Sequence, residues 1–187
     1  GVRDVIGSAA RFVVQAERLG TGHAVQQAES TLKGDADLVL VSQSDMPLLT
    51  GDTLSKLVET QKANSGPMTM LTIIADDPRG FGRIVRADDG SVKAIVEEAD
   101  ATDAEKAIKE LNVGAYCFDA DWLWGALAEV PLSAKGEYYL TDTVALAVEA
   151  GLRVEAITLE NAVEAIGVNN RIHLAEAEAG MRSRVNR

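Results

Sequence analysis

The feature that most narrows the fold is an alternation of short apolar runs with segments of helical period. "RFVVQ" (11–15) reads as a strand, and "GHAVQQAESTLKG" (22–34) as a helix with Thr21 as its N-cap and Gly34 as its stop. "DLVLVSQ" (37–43) is a near-continuous apolar run, as in a parallel strand buried on both faces. "TGDTLSKLVETQKANSG" (50–66) sets Leu54, Leu57 and Val58 on one helical face, and "PMTMLTIIA" (67–75) reads as another buried strand. This β-α-β-α-β order is that of a doubly wound sheet with right-handed crossovers.

The middle changes character. "GRIVRADDGSVKAIVEE" (82–98) alternates like a hairpin: Ile84 and Val85, a turn at Asp88-Asp89-Gly90, then Val92, Ile95 and Val96. "DAEKAIKE" (103–110) reads as a short polar helix and "LNVGAYCFDA" (111–120) as a strand. "ADWLWGALAEV" (120–130) and "LTDTVALAVEAG" (140–151) read as helices, "RVEAITL" (153–159) as a late strand and "NNRIHLAEAEAGMRSR" (169–184) as a helix. The expected class is α/β and Rossmann-like: a mostly parallel sheet flanked by helices, with a small antiparallel insertion. A chain of 187 residues, 47% hydrophobic, suits one domain over 1–187 with its own core.

A net charge of −11 argues against non-specific binding to nucleic acid or acidic membrane, since phosphate contacts need clustered Lys and Arg. A small phosphate ligand held by backbone amides or by a divalent metal remains compatible. No apolar run reaches the roughly 18 residues of a membrane helix, and no signal peptide is visible, so a cytoplasmic location is expected. The single cysteine, Cys117, excludes an internal disulfide and reads as a core residue. The chain opens "GVRDVIGSAARFVV" without an initiator methionine, as expected of an excerpt from a longer polypeptide.

In open α/β sheets, ligands gather at the carboxyl ends of strands. Gln15 and Gly20-Thr21-Gly22 follow the first strand, and the amides and hydroxyl at that helix start suit a phosphate or a flat ring. Asp45, with Pro47 two residues on, either caps the next helix or holds a cation, because magnesium often takes only one or two protein oxygens. Asn169-Asn170 either cap the last helix or add an amide oxygen to such a site. Gly80-Phe81-Gly82 allow close backbone approach or simply a tight turn. Glu97 and Asn112 either face solvent or bond sugar hydroxyls. "GEYYLTD" (136–142) places Tyr138 and Tyr139 to line a pocket or a lid, with Thr141 or Asp142 as a cap. His23 and His173 have no partner at ligand spacing and read as structural.

"QAERLGTGHAV", "DDPRGFGRIVR", "AIVEEADAT", "IKELNVGAYCFD", "GEYYLTDTVALA" and "IGVNNRIHLAEAE" occur in this order. Together they resemble the pyrophosphorylase domain of bacterial bifunctional N-acetylglucosamine-1-phosphate uridyltransferases, over nearly the whole chain. The resemblance implies a GT-A-like nucleotidyltransferase fold. The implied reaction joins UTP and N-acetylglucosamine-1-phosphate into UDP-N-acetylglucosamine and pyrophosphate, a step of cell-wall precursor synthesis. By the same resemblance, Gln15, Gly20 and Thr21 contact uracil. Asp45 and Asn169 are the catalytic pair and ligate magnesium (Mg2+). Gly82, Glu97 and Asn112 bind the sugar and its N-acetyl group, and Asn169 also touches the nucleotide sugar.

Two departures qualify the match. Gln43-Ser44-Asp45 stands where the family usually reads Tyr-Gly-Asp, which keeps the aspartate but alters contacts of Gln43 and Ser44 near the ribose and sugar. The family's glycine-rich triphosphate loop, part of an N-terminal strand-loop-helix unit, is absent from these residues, as is its trimerising, acetyl-transferring β-helix. This stretch alone is therefore expected to lack most turnover and any acetyltransferase activity, and its oligomeric state is left open. The other readings are a non-catalytic nucleotide-sugar-binding domain and a nucleotidyltransferase for another sugar-1-phosphate.

Overall fold

A computed structural model describes residues 1–186. They build a six-stranded sheet with helices on both faces. A short helix α1 (Val2–Ile6) is followed by extended chain, then α2 (Thr21–Gln26) and α3 (Glu29–Leu32). Next come β1 (Leu38–Val41), α4 (Gly51–Ala63), β2 (Met68–Ile74) and the hairpin β3 (Arg83–Arg86) and β4 (Val92–Val96). The chain continues through α5 (Asp103–Lys106), β5 (Glu110–Asp119), α6 (Ala120–Glu129), α7 (Asp142–Glu149), β6 (Val154–Thr158) and α8 (Arg171–Val185).

Strand order is β4-β3-β5-β2-β6, with β1 also paired to β5. The α/β class holds, but the sheet is mixed rather than mostly parallel. β5 is its hub and runs antiparallel to β1, β2 and β3, while β2 and β6 form the parallel pair. Apolar runs announce burial, not strand direction. "DLVLVSQ" is a case in point: β1 is antiparallel, and Leu40 is 41% exposed.

Alternation along β2 divides the core. Met68 and Met70 join Tyr116, Phe118, Leu123, Trp124 and Val144 on the side of α6 and α7. Leu71 and Ile73 join Leu57, Val113, Ala115 and Cys117 on the side of α4. Each fully buried side chain of this kind contributes about 1.5–3 kcal/mol. The hairpin forms as expected, with Gly90 at φ 83° in its turn.

Two expected elements differ. Residues 11–15 form no strand: Val13 and Val14 are 44% and 66% exposed, and no ladder of the described residues pairs with them. A strand needs a neighbour to take its backbone hydrogen bonds. The helix over 22–34 is split into α2 and α3, with Gly34 (φ 83°) ending the second as expected.

The strand register makes a gap. β1 and β3 lie end to end along one edge of β5, because β2 occupies the other. Val41 pairs with Tyr116 and Arg83 with Leu111. The β5 edge between these two pairings is thus left without a strand.

Candidate functional site

That gap opens into a cavity of about 790 Å³. Gln15, Gly20, Thr21, Gln43, Ser44, Asp45, Gly82, Glu97, Asn112 and Asn169 all line it. The ten residues that the resemblance assigned to the site therefore reach one space, although Gln15 and Asn169 are 154 positions apart (169 − 15), whereas Gly22, Tyr138 and Asn170 do not line it.

Asp45 and Asn169 lie on adjoining loops. The Val168 N–H donates to the Asp45 carbonyl at 2.8 Å. Neither residue caps a helix. α4 is capped by Thr50, whose hydroxyl accepts from the Thr53 N–H, and α8 by Asn170, which accepts from the His173 N–H at 2.9 Å. Oδ1 of Asp45 is buried and has no hydrogen-bond partner among the described residues. A buried carboxylate oxygen without a partner is costly unless something else satisfies it. Behind this wall, a Cβ on Gly167 would meet Met46 Sδ at 3.2 Å and the Phe81 ring at 3.5 Å.

At the other end, the Gly20 region is zipped to the Tyr138–Leu140 segment. Tyr138 N–H donates to the Leu19 carbonyl and Gly22 N–H to the Tyr138 carbonyl, both at 2.8 Å. Thr21 is not an N-cap: Gly20 holds that place, and the Thr21 hydroxyl accepts from the Leu140 N–H at 3.0 Å. The start of α2 is thus less open to a phosphate than its sequence suggests. Gln15 Nε2 donates to the Gly20 carbonyl and lies against His23 Nδ1, each at 3.0 Å. Its Oε1 makes no hydrogen bond among the described residues.

The floor is β5. Between Met70 and Thr72 of β2 the register shifts, so that four steps of β5, from Asn112 to Tyr116, face two of its neighbour. Gly114 sits in this bulge at φ 81°, and the Gln43 side chain lies directly over it. Asn112 N–H donates to the Gly82 carbonyl at 2.8 Å. Glu97 accepts from the Thr141 hydroxyl at 2.9 Å. Gly82 is needed for close packing: a Cβ there would come within 2.9 Å of Ile95 Cγ2.

Sequence reading passed over Arg18, Arg79 and Tyr116, which share the cavity wall. Arg79 has a left-handed φ of 47° and reaches Glu176 of α8 at 2.7 Å. Only the Pro78-Arg79-Gly80 turn chemistry hinted at it. Tyr139 does line the cavity, whereas Tyr138 serves through its backbone. His23 lies against Gln15, and the His173 ring against the Asn169 N–H and the Asn170 amide; no cluster of three or more His, Cys, Asp or Glu ligands occurs among the described residues. No helix of those residues is long and apolar enough to cross a membrane.

Residues 4–172 match the family model described as nucleotidyl transferase. The chain is 48% identical over 186 residues to the bifunctional protein GlmU of Exiguobacterium sp., covering 99% of this chain and 41% of that protein. It is 48% identical over 187 residues to the GlmU of Heliobacterium modesticaldum, covering 100% and 41%. It thus spans about two fifths of the length of these curated relatives. A putative glucose-1-phosphate thymidylyltransferase from Bacillus anthracis, solved in complex with a sucrose, shares the fold. Its TM-score is 0.73 at 20% identity, over 95% of this chain and 70% of that one.

Proposed function

The chain belongs to the nucleotidyl transferase family, and from that premise we propose that it is the uridyltransferase portion of a protein that makes UDP-N-acetylglucosamine and pyrophosphate from UTP and N-acetylglucosamine-1-phosphate. Residues 1–187 act as one nucleotidyltransferase domain in this reading. The observation that carries it is the convergence of all ten candidate residues on one cavity.

Gln15, Gly20 and Thr21 read the base. Gln15 commits its amide N–H to Gly20 and keeps Oε1, an acceptor matched to the N3–H of uracil. Gly82, Glu97 and Asn112 hold the sugar and its N-acetyl group at the other end. Gln43 and Ser44 lie between. The sugar phosphate attacks the α-phosphorus in line, and catalysis is chiefly positioning and charge neutralisation.

Asp45 and Asn169 fit a divalent cation, magnesium in this proposal: one buried carboxylate oxygen lacks a partner, and the two residues share a wall and joined loops. When held by Asp45 and Asn169, the ion would supply positive charge to offset that of the substrate phosphates. The family setting favours a cytoplasmic enzyme with nucleotide and sugar-phosphate substrates.

The test is pyrophosphate release from UTP by the complete protein. It should require both magnesium and N-acetylglucosamine-1-phosphate. Equal turnover with glucose-1-phosphate would sink the sugar assignment, and binding without any turnover would favour a non-catalytic nucleotide-sugar domain.

A further inference from the structure

We infer that Tyr116 is a positioning residue for sugar recognition: its hydroxyl anchors the side-chain amide of Asn112, whose sense the Gly114 N–H sets, so that one amide N–H is held toward the ligand. The inference rests on the nucleotide-sugar reading of the cavity.

Residues four apart in a regular strand are about 13 Å apart, and their side-chain ends do not meet. Here the bulge opposite Met70–Thr72 shortens that span. The Tyr116 hydroxyl lies 2.7 Å from Asn112 Nδ2 and 3.0 Å from Oδ1. The contact is inside the wall, since Asn112 is 8% exposed and Tyr116 2%. Burial also pushes the Tyr116 phenol well above its ordinary range, so it stays a neutral hydroxyl.

A second group sets the sense of the amide. Gly114 N–H donates to Asn112 Oδ1 at 3.1 Å, and a backbone N–H is a donor only. Turning the amide over would set its NH2 against that donor and lose this contact, whereas the Tyr116 hydroxyl donates or accepts and meets the amide in either sense. Oδ1 is therefore held inward, on Gly114, while Nδ2 meets the Tyr116 oxygen. One N–H of Nδ2 is left for the cavity, a donor suited to a sugar hydroxyl or an acetyl carbonyl.

Packing alone does not account for the hydroxyl. The Tyr116 ring already packs on Phe118, with centroids 5.7 Å apart, and phenylalanine would keep that contact. What the hydroxyl adds is a fixed direction for Asn112. A polar group whose partners hold it in place recognises a ligand better than one free to rotate.

The test is calorimetric titration of wild type, Tyr116→Phe, Asn112→Asp and the double variant with UDP and with UDP-N-acetylglucosamine. Tyr116→Phe should weaken the sugar nucleotide about tenfold, the scale of losing a supporting contact, and leave UDP unchanged. Asn112→Asp keeps an acceptor for Gly114 but has no N–H for the cavity, so it should show the same selective loss. The double variant should add nothing further. Equal weakening of both ligands by Tyr116→Phe, or no weakening of either, overturns the inference while wild type still prefers the sugar nucleotide. A wild type that binds no uridine sugar nucleotide overturns the cavity reading and the inference with it.

Discussion

Val168 donates its backbone N–H to the carbonyl of Asp45 across 2.8 Å, and this one bond joins two loops 123 positions apart (168 − 45). It leaves Asp45 to present its carboxylate, and Asn169 to follow, on the same wall of the cavity. The bond uses main-chain atoms, so either side chain can be changed without cutting it.

Asp45→Ala should therefore separate stability from activity. Turnover should fall by roughly 100-fold or more, at least the loss seen when a metal ligand's supporting partner is removed. The fold should be unharmed or firmer by about 1 kcal/mol, because a buried oxygen without a partner disappears. Magnesium-dependent pyrophosphate release and a thermal melt, run on the same preparations, check both halves. Unchanged turnover would remove Asp45 from the metal site.

Part of this site was legible because Gln43, Ser44 and Asp45 follow β1 and Glu97 follows β4, and strand ends are where such folds place ligands; Gln15, Gly20, Thr21, Gly82, Asn112 and Asn169 follow no strand and were legible only through the ordered motifs. Asp45 and Asn169 each had a competing role as a helix cap, and only the structure shows Thr50 and Asn170 filling those roles. Strand direction was less legible, since "DLVLVSQ" looks the same in either sense. The strand expected at 11–15 failed because pairing is a property of neighbours, not of a run's own residues. Tyr116 escaped notice for a related reason. Its contact with Asn112 depends on the bulge at Gly114, and neither that bulge nor its left-handed φ is written in "NVGAY".

Glu164 should set part of the acid stability. Its Oε2 accepts from the Thr50 N–H and hydroxyl, each at 3.0 Å, and from the Thr53 hydroxyl at 2.6 Å, at the start of α4. Burial works to raise its pKa, but these hydrogen bonds, with Arg184 nearby, hold it below the ordinary value. A lowered folded pKa gives stability that is full above the unfolded value of about 4.3 and is lost as pH falls through the folded one. Glu164→Gln should cost about 1–3 kcal/mol at neutral pH. Urea unfolding should show the gap to wild type closing once pH falls below the folded carboxyl's pKa. A gap that stays constant with pH would mean that the charge is irrelevant.

Cys117 should be inert in the folded protein. It is fully buried, and burial pushes its thiol up to about 11, so little thiolate exists at pH values near neutrality. A disulfide reagent such as Ellman's should titrate no thiol in native protein and one per chain after denaturation. Rapid reaction in the native state would mean that β5 opens locally.

Gly20 should prove the least replaceable glycine of the cavity rim, for two separate reasons. Its φ of 97° is one that L side chains rarely adopt, and a Cβ there would lie 2.5 Å from the Tyr138 carbonyl oxygen and 2.9 Å from its nitrogen. Both obstacles are backbone, which cannot rotate away. Gly80 is the control, with a similar φ of 80° but nothing within 4 Å of its would-be Cβ. Gly80→Ala should cost only the conformational strain, about 1–2 kcal/mol. Gly20→Ala should cost clearly more and also break the contacts that tie Leu19, Thr21 and Gly22 to residues 138–140. Since Gln15 donates to the Gly20 carbonyl, uridine nucleotide affinity should fall with it, whereas Gly80→Ala should leave the base unaffected. Melting temperatures and UDP titrations of the two variants decide the matter: equal losses at both positions would mean that the close approach to Tyr138 is not what Gly20 is there for.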